Sequence, residues 1–346
     1  MQKLLGGHHL ERNGRQLAGL VALAALLFMA GAVGLAYVAG FHAVRQRLIH
    51  PHWPWLVASA AVEIVSFAGY LLAYRGLSRV EKGPDLRGKP LLAVVASGFG
   101  GFLAQGGGAL DHYVMKATGA SDREAAVRVS ALGGLEHGSI PWIVCPTAIA
   151  LLIIGVHKPP GDFTLPWAVI PPIGFLAGVA AAEHWRDELR GRDGWRGKMA
   201  VFFDGVHYVW MLFRHPIRYD AAVIGMLVFW GADMFSLWAG MAAFGFHMTA
   251  GALILAYGTG YVLTQRTAPL GGAGLLMVIL PPTIMYCGAP LAAAVLGVFA
   301  HRFFSLWLFM PAAFAGLPTL RALGRAAPDT PGEGTSETQG EPALEH

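Results

Sequence analysis

Eight long stretches of this chain hold almost no charged side chain, and they leave it few ways to fold. They run over residues 17–41, 54–74, 129–156, 163–182, 221–245, 247–264, 271–288 and 291–317. As helices, stretches of about 20 apolar residues cross the roughly 30 Å hydrocarbon core of a bilayer. Backbone amides at that depth find no water, so only helices or a closed barrel satisfy them, and a barrel would show short alternating segments. The expected fold class is therefore all-α, a polytopic membrane helix bundle with about eight transmembrane helices. Only 13% of the residues are charged, too few polar side chains to cover these runs in water. The first run follows Lys3, Arg12 and Arg15 but exceeds a signal-peptide core, and further spans follow it, so it reads as a retained helix.

Lysine and arginine set the expected topology. Loop 75–89 carries Arg75, Arg79, Lys82, Arg87 and Lys89, and loop 183–198 carries Arg186, Arg190, Arg192, Arg196 and Lys198, so both should be cytoplasmic. An even number of crossings must separate them, yet three apolar stretches lie between: 91–110, 129–156 and 163–182. The first contains Ser97-Gly98-Phe99-Gly100-Gly101 and Gln105-Gly106-Gly107-Gly108. Each glycine costs a helix about 1 kcal/mol, and broken backbone at membrane depth survives only beside protein or a wet cavity. Residues 91–110 are therefore predicted to form a re-entrant hairpin that enters and leaves on the cytoplasmic side. Arg45 and Arg47 fall outside, against the trend.

Both termini are expected in the cytoplasm, with the chain multi-pass in a cell membrane, inner or plasma. A cytoplasmic segment covers 1–16, the transmembrane domain 17–320, and a Pro-, Gly- and Glu-rich disordered tail 321–346. Stretch 199–213, interrupted by Asp204 and His207, reads as an interfacial helix on the cytoplasmic face. A second glycine cluster, Gly271-Gly272-Ala273-Gly274, suggests a second re-entrant segment and an internal repeat, as in duplicated transporters.

The formal charge of +4 is spread between apolar runs instead of forming a stripe, so no nucleic-acid partner is expected. Cys145 and Cys287 sit inside apolar runs and read as small buried hydrophobes. His42, His50 and His52 lack nearby carboxylates and read as an interfacial cluster instead of a zinc site. No Gly-x-Ser-x-Gly elbow, His-Glu-x-x-His helix or Walker loop is present. Neither enzymatic activity nor a cofactor or metal is expected.

Ionisable groups at membrane depth are costly and tend to face a cavity or a partner. Glu63, Glu136, His137, Asp233, His301 and Arg302 are the candidates. For Glu63 and Asp233 a helix–helix hydrogen bond competes evenly with a functional role. Arg302 cannot shed its proton and needs an anion: a carboxylate such as Glu136 or Asp111, or a lipid phosphate. Asp111 and His112 follow the first glycine run, and with Glu136, His137 and Arg302 they can line one polar pocket open to the cytoplasmic side. The competing assignment leaves Asp111, His112 and Lys116 in the headgroup layer.

Two blocks, LAQGGGALDHYVMKATGASDREAAVRVSALGGLEH at 103–137 and APLGGAGLLMVILPPTIMYCGAPLAAAVLGVFAHRFFSLWLFMPAAFAGL at 268–317, resemble the lysylphosphatidylglycerol synthase transmembrane region. This flippase-like domain family forms the membrane half of the multiple peptide resistance factor. There a glycine-containing re-entrant turn precedes an acidic residue and a helix ending in a Glu-Arg pair. The matching positions are Gly106, Gly107, Gly108, Asp111, Gly119 with Ala125, and Glu136 followed by His137. The second block is similar to the family's Pro-Gly-Gly-x-Gly turn and later aromatic-Arg position, matched by Gly271, Gly272, Gly274 and Arg302. The chain departs from the pattern at Leu270 (family proline) and Met277 (family glutamate), and it lacks the arginines of the first turn and of the Glu-Arg pair.

The resemblance implies membrane lipids as partners, an anionic or aminoacylated phospholipid being bound or moved between leaflets. The sequence after residue 317 leaves no room for the family's cytosolic synthase domain, so lipid aminoacylation is not expected. Two other readings stay open: a secondary transporter or channel for a small anion, and a non-transporting partner of a separate lipid-modifying enzyme, which Met277 favours. Sequence fixes neither the lipid, its direction and driving force, nor the oligomeric state, a homo-oligomer included.

Overall fold

The computed structural model describes residues 14–99, 107–155, 159–189, 192, 194–215, 219–265 and 272–326. Among them are α-helices and a short 3-10 turn, with no strand. In chain order the helices are α1 (Gly14–Val38), α2 (Phe41–Leu48), α3 (Trp53–Ser78), α4 (Gly88–Phe99), α5 (Gly107–Ala117), α6 (Asp122–Ile154) and α7 (Gly161–Leu189). There follow α8 (Gly194–Arg214), α9 (Asp220–Ala243), α10 (Ala250–Gln265), α11 (Gly272–Tyr286), α12 (Leu291–Trp307) and α13 (Met310–Ala326). Five segments are long and apolar enough to cross a membrane: α3, α6, α7, α9 and the run Leu291–Leu323. On α7, Leu165, Ile170, Ile173 and Leu176 each keep more than half of their surface exposed, an apolar face suited to lipid.

The centre is an antiparallel pair, α3 against α9. Ser59 Oγ donates to Ser236 O at 2.9 Å and Ser66 Oγ to Phe229 O at 3.1 Å, while His52 N donates to Ala243 O at 2.8 Å where one helix begins and the other ends. The two backbones touch. A Cβ on Gly69 would lie 2.7 Å from Phe229 N, and one on Gly76 2.5 Å from Ala222 N. Lipid tails are as apolar as leucine, so packing at this range, together with hydroxyl–carbonyl bonds, holds helices together in a membrane.

From this pair the direction of each helix follows. A capping box starts α6: Ser121 N donates to Glu124 Oε2 at 2.9 Å and Glu124 N to Ser121 Oγ at 3.3 Å. The helix then runs antiparallel to α3, with Arg128 Nη2 donating to Val80 O at 3.1 Å and Tyr70 Oη to Glu136 Oε2 at 3.0 Å. Helix α7 returns along α6, pairing Trp142 with Phe175. The two basic loops therefore share one end: His207 is within electrostatic reach of Glu81 in the first and of Glu183 and Arg186 in the second. Arg87, Arg75 and Arg79 surround Asp85 at this basic end, and the hydrogen bond from Arg87, with that from Arg75 and the charge of Arg79, holds its carboxyl down at about 2.

Since α6 and α7 account for the even count, α4 and α5 must leave and return at the basic end, and they do. With 12 and 11 residues they reach about 18 and 16 Å, half the thickness of a hydrocarbon core. Phe99, the last residue of α4, packs its ring 5.1 Å from Phe67 and 5.3 Å from Tyr70, near the middle of α3. Helix α5 heads back, setting Gly108 against Val129 and Lys116 Nζ 2.8 Å from Asp122. The predicted turn residue Gly106, like Gly271 of the second cluster, lies outside the described residues.

A second hairpin descends from the opposite end. Helix α10 is antiparallel to α6, with Gly251 beside Leu151, Gly258 beside Val144 and Tyr261 bonded to Glu136, and α11 returns with Leu280 against Gly260. At 16 and 15 residues, about 24 and 22 Å, neither has the length predicted for a full span. Stretches 247–264 and 271–288 thus form a pair of shortened helices. Helix, hairpin, helix in α3 to α6 recurs in reverse orientation in α9 to α12, the inverted order found in many transporters.

Three further expectations change. The stretch 291–317 breaks at Leu308 and Phe309, because Pro311 has no amide hydrogen to give the carbonyl of Trp307 one turn back. Helix α13 then runs along α4, with Phe309 5.4 Å from Phe99 and Gly316 against Ala93. Helix α8 does not lie apart as an interfacial helix. Gly205 packs on Ser130 and Phe213 stacks 4.6 Å from Trp142, so α8 runs beside α6 over about 12 Å of its length. The outlying Arg47 acts locally, its Nη1 donating to Phe244 O at 2.7 Å and so closing the carbonyl end of α9.

Two outcomes check this arrangement. Gly225→Leu forces a side chain into the α3–α9 contact and should lower stability by about 1–3 kcal/mol in denaturant unfolding, whereas Gly98→Ala, with open space around its Cβ, should be neutral. Single cysteines at Arg87 and Glu188 should react with an impermeant maleimide from the same side of the membrane, and one at Gln46 from the other. Reaction of the first two from opposite sides would break the topology.

Candidate functional site

Helices α3, α4, α5, α6, α9, α10 and α12 line a cavity of about 480 Å³. Four of the five predicted polar residues line it: Asp111, Glu136, His137 and Arg302. Gly108 lines it too, at the start of α5, where a Cβ would press within 3.3 Å of Val129. Gly107 opens the same helix, and Gly272 and Gly274 stand in the first turn of α11.

His112 does not reach the cavity. One residue beyond Asp111, a helix turns by about 100°, and the imidazole Nε2 lies 3.2 Å from Asp122 O and 3.6 Å from Asp122 Oδ1 instead.

The carboxylates are held by tyrosines, a pairing that sequence reading missed. Tyr74 Oη donates to Asp111 Oδ1 at 3.1 Å. Glu136 accepts from Tyr70 Oη at 3.0 Å and Tyr261 Oη at 3.2 Å, and Trp230 Nε1 donates to its backbone carbonyl at 3.0 Å. Tyr257 Oη donates to Asp233. On α10, Tyr257 and Tyr261 stand four residues apart and so share one helix face, which was the available sequence signal.

With its carboxylates taken, the cavity leaves Arg302 alone. Among the described residues no ion pair reaches this guanidinium, and its Nε is buried without a hydrogen-bond partner. Neither Glu136 nor Asp111 is its counter-ion, contrary to one of the options the sequence offered. Met277, where the family resemblance implies a glutamate, packs against Leu306 and is absent from the lining, so its apolar side chain removes no group from the cavity.

Behind the cavity wall lies a second polar group. Glu63 and His301 are 0% exposed and Asp233 5%. Glu63 Oε1 is 2.9 Å from His301 Nδ1, and His301 Nε2 is 3.6 Å from Asp233 Oδ2. These three side chains could be a metal cluster by donor type. The geometry argues otherwise, because the imidazole turns opposite nitrogens to the two acids and a single ion bonds only one nitrogen in the ring plane.

Comparison with known protein families, with curated proteins and with solved structures finds no match to this chain.

The tyrosine clamp is testable on its own. Tyr261→Phe removes one of two hydroxyls on Glu136 and should lower stability by about 0.5–1.5 kcal/mol, with Tyr70→Phe similar. Denaturant unfolding of the purified variants measures this. Two neutral variants would mean that Glu136 finds another partner.

Proposed function

We propose that this chain binds the headgroup of a phospholipid in the cavity and passes it between the leaflets of a cell membrane, its basic loops and both termini facing the cytoplasm. One observation carries the reading: a guanidinium with no counter-ion among the described residues lines a cavity beside the shortened helices α4, α5 and α10, which enter from opposite ends. Permanent charge in a site shielded from water calls for an anion, and a phosphodiester matches the planar fork of arginine. Glu136, Asp111 and Asp233 then face the remainder of the headgroup, where an amine would be welcome. The resemblance to the lysylphosphatidylglycerol synthase transmembrane region points to the same ligand class.

Lipid is favoured over a soluble anion by where the cavity opens. His137, Gly98 and Gly108 are the exposed lining residues. His137 stands fifteen residues into α6, about 22 Å above its start, and an opening beside it at membrane depth is what a lipid path requires. A sealed pore for a solute has no use for such a mouth. Apolar neighbours such as Val94, Phe99 and Leu306 suit the acyl chains.

Purified protein in liposomes carrying labelled phospholipid provides the test. Labelled headgroups should change leaflet faster than in protein-free vesicles, and Arg302→Ala should cut the rate by about 10- to 100-fold, the weight of a charge-assisted hydrogen bond. Transfer no faster than in empty vesicles, or full activity in Arg302→Ala, overturns the reading.

A further inference from the structure

The group of Glu63, His301 and Asp233 is built from three helices at one depth. Glu63 lies ten residues from the start of α3, Asp233 ten from the end of α9 and His301 ten from the start of α12, all at the end opposite the basic loops. At 1.5 Å per residue each is about 15 Å in, the middle of a hydrocarbon core. The imidazole bridges the acids, Nδ1 towards Glu63 and Nε2 towards Asp233. Ser236 Oγ lies 3.3 Å from Nδ1, and Ser59 bonds Ser236 in turn. Glu63 Oε1 and Oε2 and His301 Nε2 are all buried with no hydrogen-bond partner, so the 2.9 Å approach of Nδ1 to Oε1 is a close contact and not yet a formed hydrogen bond. Asp233 also lines the cavity, so it belongs to both sites.

An imidazole set between two acids, with its own Nε2 and both Glu63 oxygens buried and unpartnered, is suited to taking up and handing on a proton. The charges around it decide when. From α3 come Glu63, Tyr70 and Tyr74, from α5 Asp111, and from α6 Glu136 and His137. From α9 comes Asp233, from α10 Tyr257 and Tyr261, and from α12 His301 and Arg302. Arg302 is the only permanent cation among the described residues of this set, against four carboxyl groups. A phosphate that occupies Arg302 cancels this cation, and every further negative charge in a shielded site favours a proton on the nearest acid.

We propose that Glu63, His301 and Asp233 form a proton relay that takes up a proton when a phosphate group binds at Arg302. The proton arrives on Asp233 at the cavity wall and is shared through His301 with Glu63. No bond other than N–H and O–H forms or breaks, and the proton returns to water when the phosphate leaves. This rests on the cavity being an anion site, as proposed above, and adds a driving force: a proton gradient would pull the phosphate group with it. Because binding takes up a proton, phosphate affinity tightens as pH falls, by up to about tenfold per pH unit for one coupled proton.

Calorimetric titration of the full chain in a phosphate-free maltoside detergent tests it, run in buffers of different ionisation enthalpy so that binding and proton uptake are read separately. One arm uses soluble short-chain phosphatidylglycerol and the other inorganic phosphate. Uptake near about one proton per bound phosphate group is expected in the native chain. Glu63→Gln and His301→Gln, neither of which lines the cavity, should bind while uptake falls at least severalfold. Two variants are used so that loss of one fold does not end the test.

Binding without proton uptake in the native chain overturns the relay and leaves the lipid reading standing. Undiminished uptake in both variants also overturns the relay, since the proton then goes elsewhere. No binding in either arm overturns both proposals. Proton-linked binding of inorganic phosphate alone supports the relay and overturns the lipid reading.

Discussion

Contact between α3 and α9 sets the register of everything else. Gly69, Gly76 and Gly225 remove the side chains that would keep these backbones apart, and Ser59 and Ser66 bond across the seam. In hydrocarbon there is no hydrophobic force between helices, so dispersion at close range carries the association. Held antiparallel at this distance, the pair puts Glu63 and Asp233 at the same depth. Gly297 of α12, which packs on Gly240 and Met241, then brings His301 between them.

The hairpins follow from the same frame. A half-length helix cannot satisfy its terminal amides and carbonyls in lipid, so its end must be buried in protein or face a wet cavity. Here one end of α4 is packed by Phe67, Tyr70 and Phe229, and α5 begins at the cavity wall. Polar groups that would be ruinous in contact with acyl chains are thereby gathered in one place. Tyrosine hydroxyls hold the carboxylates without adding opposing charge, which leaves Arg302 without an anion among the described residues.

Much of this was legible in the amino-acid sequence. Two arginine-rich loops separated by an odd number of apolar runs required one run to turn back, and glycines at 98, 106, 107 and 108 marked which one. Membrane-depth charges at Asp111, Glu136 and Arg302 pointed to a shared pocket. What stayed hidden depended on register between distant segments. His301 and Arg302 are adjacent in sequence, yet a rotation of about 100° sends one into the α3–α9 seam and the other to the cavity. The same rotation removes His112 from the site of Asp111. Hydropathy could not see the break before Pro311, because both α12 and α13 are apolar enough to read as one span. Nor could it show that α8 lies along α6, a fact carried by Gly205 against Ser130.

The central claim is that Arg302 waits for a phosphate inside the membrane. An experimental structure of the chain in phospholipid nanodiscs tests it most directly. Density for a headgroup phosphate within hydrogen-bonding distance of the guanidinium, entering past His137, is the result predicted here. A cavity holding only acyl chains, with Arg302 paired to a carboxylate or reaching out to the headgroup layer, would contradict it.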